Sequence, residues 1–151
     1  MNMWKIRAAE TNDVSKIQSI EKAAAQLFSN KDVPESLKNS TLPRNCLCES
    51  IRADLAWVAI DTTGTPIGFS VAQAFGSTLH LLEVSVEPAH TRLGIGRSLV
   101  STVIDKACAA NFSIMTLTTF AHIPWNAPFY LSCGFRQISP TELSTRLVVV
   151  K

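Results

Sequence analysis

Leu79-His80-Leu81-Leu82-Glu83-Val84-Ser85-Val86-Glu87-Pro88-Ala89-His90-Thr91-Arg92-Leu93-Gly94-Ile95-Gly96-Arg97-Ser98-Leu99-Val100 is the stretch on which the reading of this chain turns. Leu82, Val84 and Val86 alternate with Glu83, Ser85 and Glu87, the period of a half-buried strand, and Pro88 ends its ladder. After Gly96 the period changes. Leu99, Val100, Val103, Ile104 and Ala107 share one helical face, with Arg97, Ser101, Asp105 and Lys106 on the other. Between strand and helix, Gly94 and Gly96 let the backbone come close to a ligand, and the first N–H groups of the helix point at the same place. A phosphate or pyrophosphate fits that grammar. A tight strand-to-helix turn also carries glycines for packing alone, and the G-x-G pattern leaves both readings open. ATP and NAD are disfavoured: no Lys-Ser or Lys-Thr follows the last glycine, and the third glycine of a dinucleotide fingerprint is missing.

Thr91-Arg92-Leu93-Gly94-Ile95-Gly96 resembles the Q/R-x-x-G-x-G/A signature of the GNAT superfamily of acyl-CoA-dependent N-acetyltransferases, with Thr91 where that family usually carries Gln or Arg. Downstream, Phe129-Tyr130-Leu131-Ser132-Cys133-Gly134-Phe135 is similar to the family's F/Y-Y-x-x-x-G-F segment. The resemblance implies one domain over residues 1–151 and a mixed α/β fold, a central sheet of about seven strands with helices on both faces. It implies acetyl transfer from acetyl-CoA to a primary amine of a small molecule or amino acid, without a metal. The coenzyme would be held by the loop Thr91, Arg92, Leu93, Gly94, Ile95, Gly96 and Arg97, by the main chain of Val84, Ser85 and Val86, and by Asn126 and Tyr130. Ile123 stands where the family commonly has Asn, and Asn126 either takes over that contact or caps its helix.

Acetyl transfer from a thioester to an amine requires a neutral nucleophile, stabilisation of the oxyanion and a proton for the departing thiolate. Tyr130 is the only tyrosine, and its place in the second motif implies the general acid. Glu83, on the central strand before the loop, is the candidate base. His80 is the alternative, and His122 a weaker one. His80 and Glu83 have opposite strand parity, so a regular strand would turn only one of them toward the substrate, unless a bulge resets the alternation. At Thr118, where protein N-terminal acetyltransferases of the family carry a glutamate, this chain has a hydroxyl, which favours small acceptors. The competing reading is a GNAT-like protein that binds acyl-CoA as a sensor or partner without turnover.

Bulk properties fit this picture. The 151 residues suit one domain, and a formal net charge of +2 with scattered basic residues gives no nucleic-acid surface. The N-terminus lacks an apolar h-region and no apolar run approaches a membrane span, so a cytoplasmic protein is expected. Cys46, Cys48, Cys108 and Cys133 lack metal-ligand or framework spacing.

Along the rest of the chain, Met3 to Ala8 reads as a strand and Thr11-Asn12-Asp13 as N-caps. A helix with its apolar face on Val14, Ile17, Ile20, Ala24, Leu27 and Phe28 follows. Ser29 to Ser40 is a polar loop with room for a short helix, and Pro43 opens a helix from Arg44 to Arg52. Leu55–Asp61 and Pro66–Phe75 are strands joined by Thr62-Thr63-Gly64-Thr65, a hairpin. Ile114–Thr119 is a strand, Trp125–Cys133 a short helix, and Phe135–Ile138 and Thr145–Val150 close the sheet. The apolar run Leu147 to Val150 leaves two outcomes: a place inside the sheet, or an edge that pairs with a second copy as a homodimer.

Overall fold

The computed structural model describes residues 3–26, 41–119, 126–140 and 145–150, with 118–119, 126–127, 137–140 and 145–150 described as backbone. Its strands are β1 (Trp4–Ala8), β2 (Ala56–Asp61), β3 (Pro66–Phe75), β4 (Thr78–Val86), β5 (Ile114–Thr119), β6 (Arg136–Pro140) and β7 (Thr145–Val150). Its helices are α1 (Val14–Ala25), α2 (Arg44–Arg52), α3 (Ile95–Ala109) and α4 (Asn126–Ser132). The expected order of elements holds. The end of the first helix at Leu27 and Phe28 and the segment 29–40 lie outside the described residues.

The strands form one seven-stranded sheet in the order β1-β2-β3-β4-β5-β7-β6. β1 to β4 run as antiparallel neighbours, and β5 lies parallel to β4 because the helix α3 carries the chain back across the sheet. β7 is antiparallel to both β5 and β6. It therefore lies inside the sheet with its backbone paired on both sides, and the edge-strand argument for a second copy has no footing in this topology.

Two apolar cores flank the sheet. On one face Ile95, Leu99, Val100, Val103 and Ala107 of α3 pack on Trp57, Ala59, Leu79, Leu81, Met115 and Leu117. On the other, Val14, Ile17 and Ile20 of α1 and Leu47 of α2 pack on Val58, Ile60, Phe69 and Val71. These are the stripes that the helical periods set apart. The α1 end is anchored by charge: the Arg7 guanidinium donates to both carboxylate oxygens of Asp13, at 2.8 and 3.0 Å, and the Glu10 N–H donates to Asp13 at 2.7 Å. Asp13, and neither Thr11 nor Asn12, is the member of the expected capping trio that does this.

One irregularity positions the site. β4 pairs with β3 as Val71↔Glu83 and then as Ala72↔Leu81, so Leu82 is an extra residue bulged out of the ladder. Before it Leu79 and Leu81 face α3; after it Val84 and Val86 pack on that side, while Leu82 packs against the α1 core. A second break follows on the other edge. β4 pairs with β5 only from Thr78↔Ile114 to His80↔Thr116, and beyond that rung the two strands part.

Candidate functional site

The parting of β4 and β5 leaves the outer edge of β4 without a strand neighbour among the described residues from Leu81 onward, and the coenzyme-type loop stands at the far end of that edge. Val84, Val86, His90, Thr91, Arg92, Gly94, Ile95, Gly96, Arg97, Phe129 and Tyr130 line a cleft of about 460 Å³ there. The sequence-predicted residues Thr91, Arg92, Gly94, Ile95, Gly96, Arg97, Val84, Val86 and Tyr130 are thus brought to one place. Leu93 is exposed at the loop tip and Ser85 points away from the cleft, paired with Phe69 of β3. Asn126 opens α4, its side chain outside the description, and His122 and Ile123 lie outside the described residues.

The loop owes its shape to two left-handed residues, Arg92 at φ 65° and Gly94 at φ 83°. Such turns point successive N–H groups into a concavity that suits an anion. Gly94 is also the N-cap of α3, so the N–H groups of Ile95, Gly96 and Arg97 have no partner within the helix, and the first intrahelical bond runs from Ser98 N–H to the Gly94 carbonyl at 3.1 Å. Gly96 brings α3 close to α4: a Cβ there would stand 3.5 Å from Phe129 Cζ. The Thr91 hydroxyl donates back to the Pro88 carbonyl at 3.2 Å, and the Arg97 guanidinium donates to the carbonyl and hydroxyl of Ser132, at 3.2 and 2.7 Å. Arg97 thereby ties the first turn of α3 to the last turn of α4.

His90 belongs to this cleft and was not singled out from sequence. Its N–H donates to the Glu87 carbonyl at 2.8 Å, while its Nδ1 is buried without a hydrogen-bond partner among the described residues. A buried ring nitrogen without a partner, in the wall of an anion-suited cleft, is a position for a polar ligand atom.

On the catalytic edge the bulge puts His80 and Glu83 on the same face of the sheet, the face of α1 and α2, so parity no longer separates them. They are nonetheless differently employed. His80 Nδ1 lies 2.8 Å from the Thr116 hydroxyl, at the last rung before the strands part. Glu83 Oε1 accepts the N–H of Val84 at 3.0 Å. Glu83 is half-buried as a residue, but the surroundings of its carboxyl are closed in, and that burial, with the negative charge and hydrogen bond of Glu21 from α1, pushes it up to about 8.

Tyr130 stands edge-on to Phe129, with ring centres 5.0 Å apart, and to Phe135, at 6.0 Å. Burial first, then the charges of Glu83 and Cys133, raise its phenol well above the ordinary range. The charge of Glu83 is thus one of the causes that raise the Tyr130 phenol. Tyr130 lines the cleft with Val84 and Val86, and Glu83, next to Val84 on β4, is not among the residues that line it.

Glu21 was missed in the sequence because it borders the apolar stripe of Ile17 and Ile20 and reads as surface. Among the described residues no group of three or more His, Cys, Asp or Glu gathers where it could hold a metal ion. No described helix is long and apolar enough to cross a membrane.

Comparison with known proteins places this geometry. The PaiA N-acetyltransferase of Thermoplasma acidophilum, solved in complex with coenzyme A, matches with a TM-score of 0.84 over 100% of both chains at 17% identity. YncA of Salmonella typhimurium, a putative acetyltransferase solved with acetyl-CoA, matches at 0.73 over 99% of this chain and 94% of its own, with 20% identity. The ribosomal-protein-S18-alanine N-acetyltransferase of Escherichia coli matches at 0.70 over 97% of this chain and 91% of its own, with 21% identity. Those likenesses carry the fold, and the sequence carries the family: the acetyltransferase (GNAT) domain model matches residues 52–137, more than half of the chain and the whole of the bulged strand, loop and tyrosine helix. The chain belongs to the GNAT acetyltransferase family.

Proposed function

We propose that this chain moves an acetyl group from acetyl-CoA to a primary amine of a small molecule or amino acid, directly, within a ternary complex. The observation that carries the reading is the cleft in which the loop residues Thr91, Arg92, Gly94 and Gly96, the β4 residues Val84 and Val86 and the Tyr130 ring come together, with Glu83 next to Val84 along β4. The coenzyme pyrophosphate fits the N–H groups around Gly94 to Arg97, and the buried Nδ1 of His90 offers a further polar contact. The free edge of β4 at Val84 and Val86 suits the pantetheine amides. Arg97, spent on Ser132, supports this site by holding α4 in place.

The chemistry follows from the two raised groups. An ammonium acceptor gives one proton to Glu83, whose affinity near neutrality makes that transfer nearly level with solution pH. The neutral nitrogen attacks the thioester carbonyl carbon; the C–N bond forms, the C–S bond breaks, and the sulfur takes the Tyr130 proton. The second proton lost by the nitrogen returns to the phenolate. Because the Glu83 charge is one of the causes that hold the phenol proton on, proton uptake by Glu83 makes Tyr130 a better acid at the moment the thiolate leaves.

The test is thiol release from acetyl-CoA against a panel of amines, amino acids and short peptides, with coenzyme affinity measured by calorimetry. Amine-dependent thiol release supports the reading. Tight coenzyme binding with no thiol release for any acceptor would assign the chain to the acyl-CoA-binding, non-catalytic alternative.

A further inference from the structure

α4 is a helix of seven residues, Asn126–Ser132, too short to hold its shape by its own hydrogen bonds. Tyr130 sits in its last turn, so the way that end is held decides where the phenol stands. A helix leaves its last four carbonyls without partners, and here those belong to Phe129, Tyr130, Leu131 and Ser132. The backbone closes two of them: the N–H groups of Cys133 and Phe135 donate to the Tyr130 carbonyl, at 3.0 and 3.2 Å, and that of Gly134 to the Leu131 carbonyl at 3.1 Å. The other two depend on side chains. The Ser132 hydroxyl donates to the Phe129 carbonyl at 2.6 Å, and Arg97 Nη1 donates to the Ser132 carbonyl at 3.2 Å. Arg97 Nη2 donates to the same hydroxyl at 2.7 Å, which leaves the hydroxyl proton aimed at Phe129.

Arg97 suits this task by type and by place. Its planar fork reaches two acceptors at once, which a lysine ammonium on a flexible stem does not match. A cation at a helix C-terminus also meets the last carbonyls and the negative end of the helix dipole. Arg97 itself belongs to the first turn of α3, where its own N–H has no helical partner beside the coenzyme-type loop. One residue earlier, a Cβ on Gly96 would stand 3.5 Å from Phe129 Cζ. The first turn of α3 thus meets α4 twice, Gly96 against the Phe129 ring and Arg97 against the end of the helix. Phe129 and Phe135 in turn hold the Tyr130 ring edge-on.

We propose that Arg97 is a positioning residue for Tyr130: by capping the C-terminus of α4 through the carbonyl and hydroxyl of Ser132, its guanidinium fixes the phenol relative to the coenzyme loop and does not serve as a phosphate contact. The proposal rests on the reading of Tyr130 as the general acid. It gives the Arg97 side chain a different task from the coenzyme contact that the sequence resemblance implies. The loop and the acid become one mechanical unit. The N–H of Arg97 belongs to the anion-suited turn, while the guanidinium of the same residue sets the helix that presents a proton to the sulfur. Loss of the cap therefore costs turnover and spares coenzyme affinity, the reverse of what loss of a phosphate contact would do.

Tyr130 is the only tyrosine, so protein labelled with carbon-13 in the tyrosine ring gives NMR signals that belong to it alone. In Arg97→Met, which keeps an apolar stem and loses both donors, those signals should shift and broaden, and their cross-peaks to Phe129 and Phe135 should weaken. Calorimetry with coenzyme A should find an affinity within about threefold of the wild type. With any acceptor the amine panel yields, kcat should fall by about tenfold, inside the roughly hundredfold expected for Tyr130 itself. Arg97→Lys should recover part of that loss. In the Tyr130→Phe background Arg97→Met should cost almost nothing more, because a residue that acts only through the phenol has nothing left to position. Unmoved Tyr130 signals, a coenzyme affinity lowered about tenfold or more, or full additivity with Tyr130→Phe would each overturn the proposal. Ser132→Ala, which loses the hydroxyl alone, should give the same pattern at smaller size and decides the matter if Arg97→Met fails to fold. If no amine releases thiol, the acetyltransferase reading falls, while the tyrosine signals and the coenzyme titration still decide the place of Arg97.

Discussion

His80 Nδ1 sits 2.8 Å from the hydroxyl of Thr116, and this side-chain contact joins the last paired rung of β4 and β5. Its place makes His80 a latch at the point where the two strands begin to part, with its ring nitrogen already engaged. Glu83 lies beyond the bulge, past the last rung that β4 shares with β5. Turnover in Glu83→Gln should therefore fall on the order of a hundredfold or more, as expected for loss of a general base. His80→Ala should lose less than about tenfold, with most of its cost in stability, on the order of 1 kcal/mol for one hydrogen bond. Steady-state kinetics on both variants with the same acceptor decides between them, and the reverse ranking would move the base to His80.

Tyr130→Phe separates chemistry from binding. The ring keeps its edge-on contacts with Phe129 and Phe135, so the fold and coenzyme affinity should be nearly unchanged, while turnover drops on the order of a hundredfold. Calorimetry beside single-turnover rates reads the two effects apart. A Phe variant with wild-type turnover would leave the thiolate proton to water.

Gly94 and Gly96 carry different constraints although both belong to one motif. At Gly94 a Cβ would meet nothing within 4 Å, but φ is 83°, so Gly94→Val carries the strain of a left-handed branched residue, about 1–2 kcal/mol. It also puts a side chain beside the N–H groups of the loop. Acetyl-CoA affinity should weaken at least about tenfold, or ~1.4 kcal/mol. Gly96→Ala meets Phe129 Cζ at 3.5 Å, an ordinary contact, and should fold with little loss. Gly68→Ala is tight in a way neither loop glycine is, with Ile95 Cγ2 and the Ser85 carbonyl both at 3.2 Å, and should cost about 1–3 kcal/mol by overpacking β3 against α3. Calorimetric titration and thermal melts of the three proteins check this ranking.

The Arg7–Asp13 pair sets an acid limit. Burial pushes the Asp13 carboxyl up, but the Arg7 hydrogen bonds, the Glu10 N–H and the Arg7 charge outweigh it and hold Asp13 below its usual value. A carboxyl lowered in the folded state contributes stability above its unfolded value, near pH 4, and loses it as pH falls further. Asp13→Asn should thus melt several degrees below the wild type at pH 7. The gap should close below about pH 4. A gap that stays constant down to pH 3 would show that the charge is not what anchors α1.

Much of this architecture is visible in the residues, and the exceptions have physical causes. Alternation and helical period mark β4 and α3 because each buries one face against a single core. The bulge left a trace as well: the apolar alternation Leu79, Leu81 is taken up again by Leu82, Val84, Val86, one residue out of step. Which of His80 and Glu83 faces the opening depends on that slip, and a reading that begins the strand at Leu82 passes over it. The run Leu147 to Val150 suits an inner strand or a paired edge equally, and only the insertion of β7 between β5 and β6 decides it. Glu21 and His90 are a different case. Their roles depend on partners distant along the chain, a carboxyl on β4 and the cleft formed with α4, and no local pattern announces either.

The raised carboxyl of Glu83 makes a prediction about stability with the opposite sign to that for Asp13. Burial and Glu21 raise Glu83 to about 8, above its unfolded value near 4.5. A carboxyl raised in the folded state leaves stability whole below the unfolded value and erodes it as pH climbs through the folded one, because the unfolded chain gives up the proton first. Glu83→Gln removes a group that is costly to ionise and keeps a side chain of the same shape. The variant should therefore be more stable than the wild type, by on the order of 1–3 kcal/mol at pH 8. The advantage should shrink toward zero near pH 4.5. Melting curves of the two proteins across that range measure it directly. A Glu83→Gln protein that is less stable than the wild type at pH 8 would mean that Glu83 is ionised at ease in the fold, and with that the near-neutral base would have to be given up.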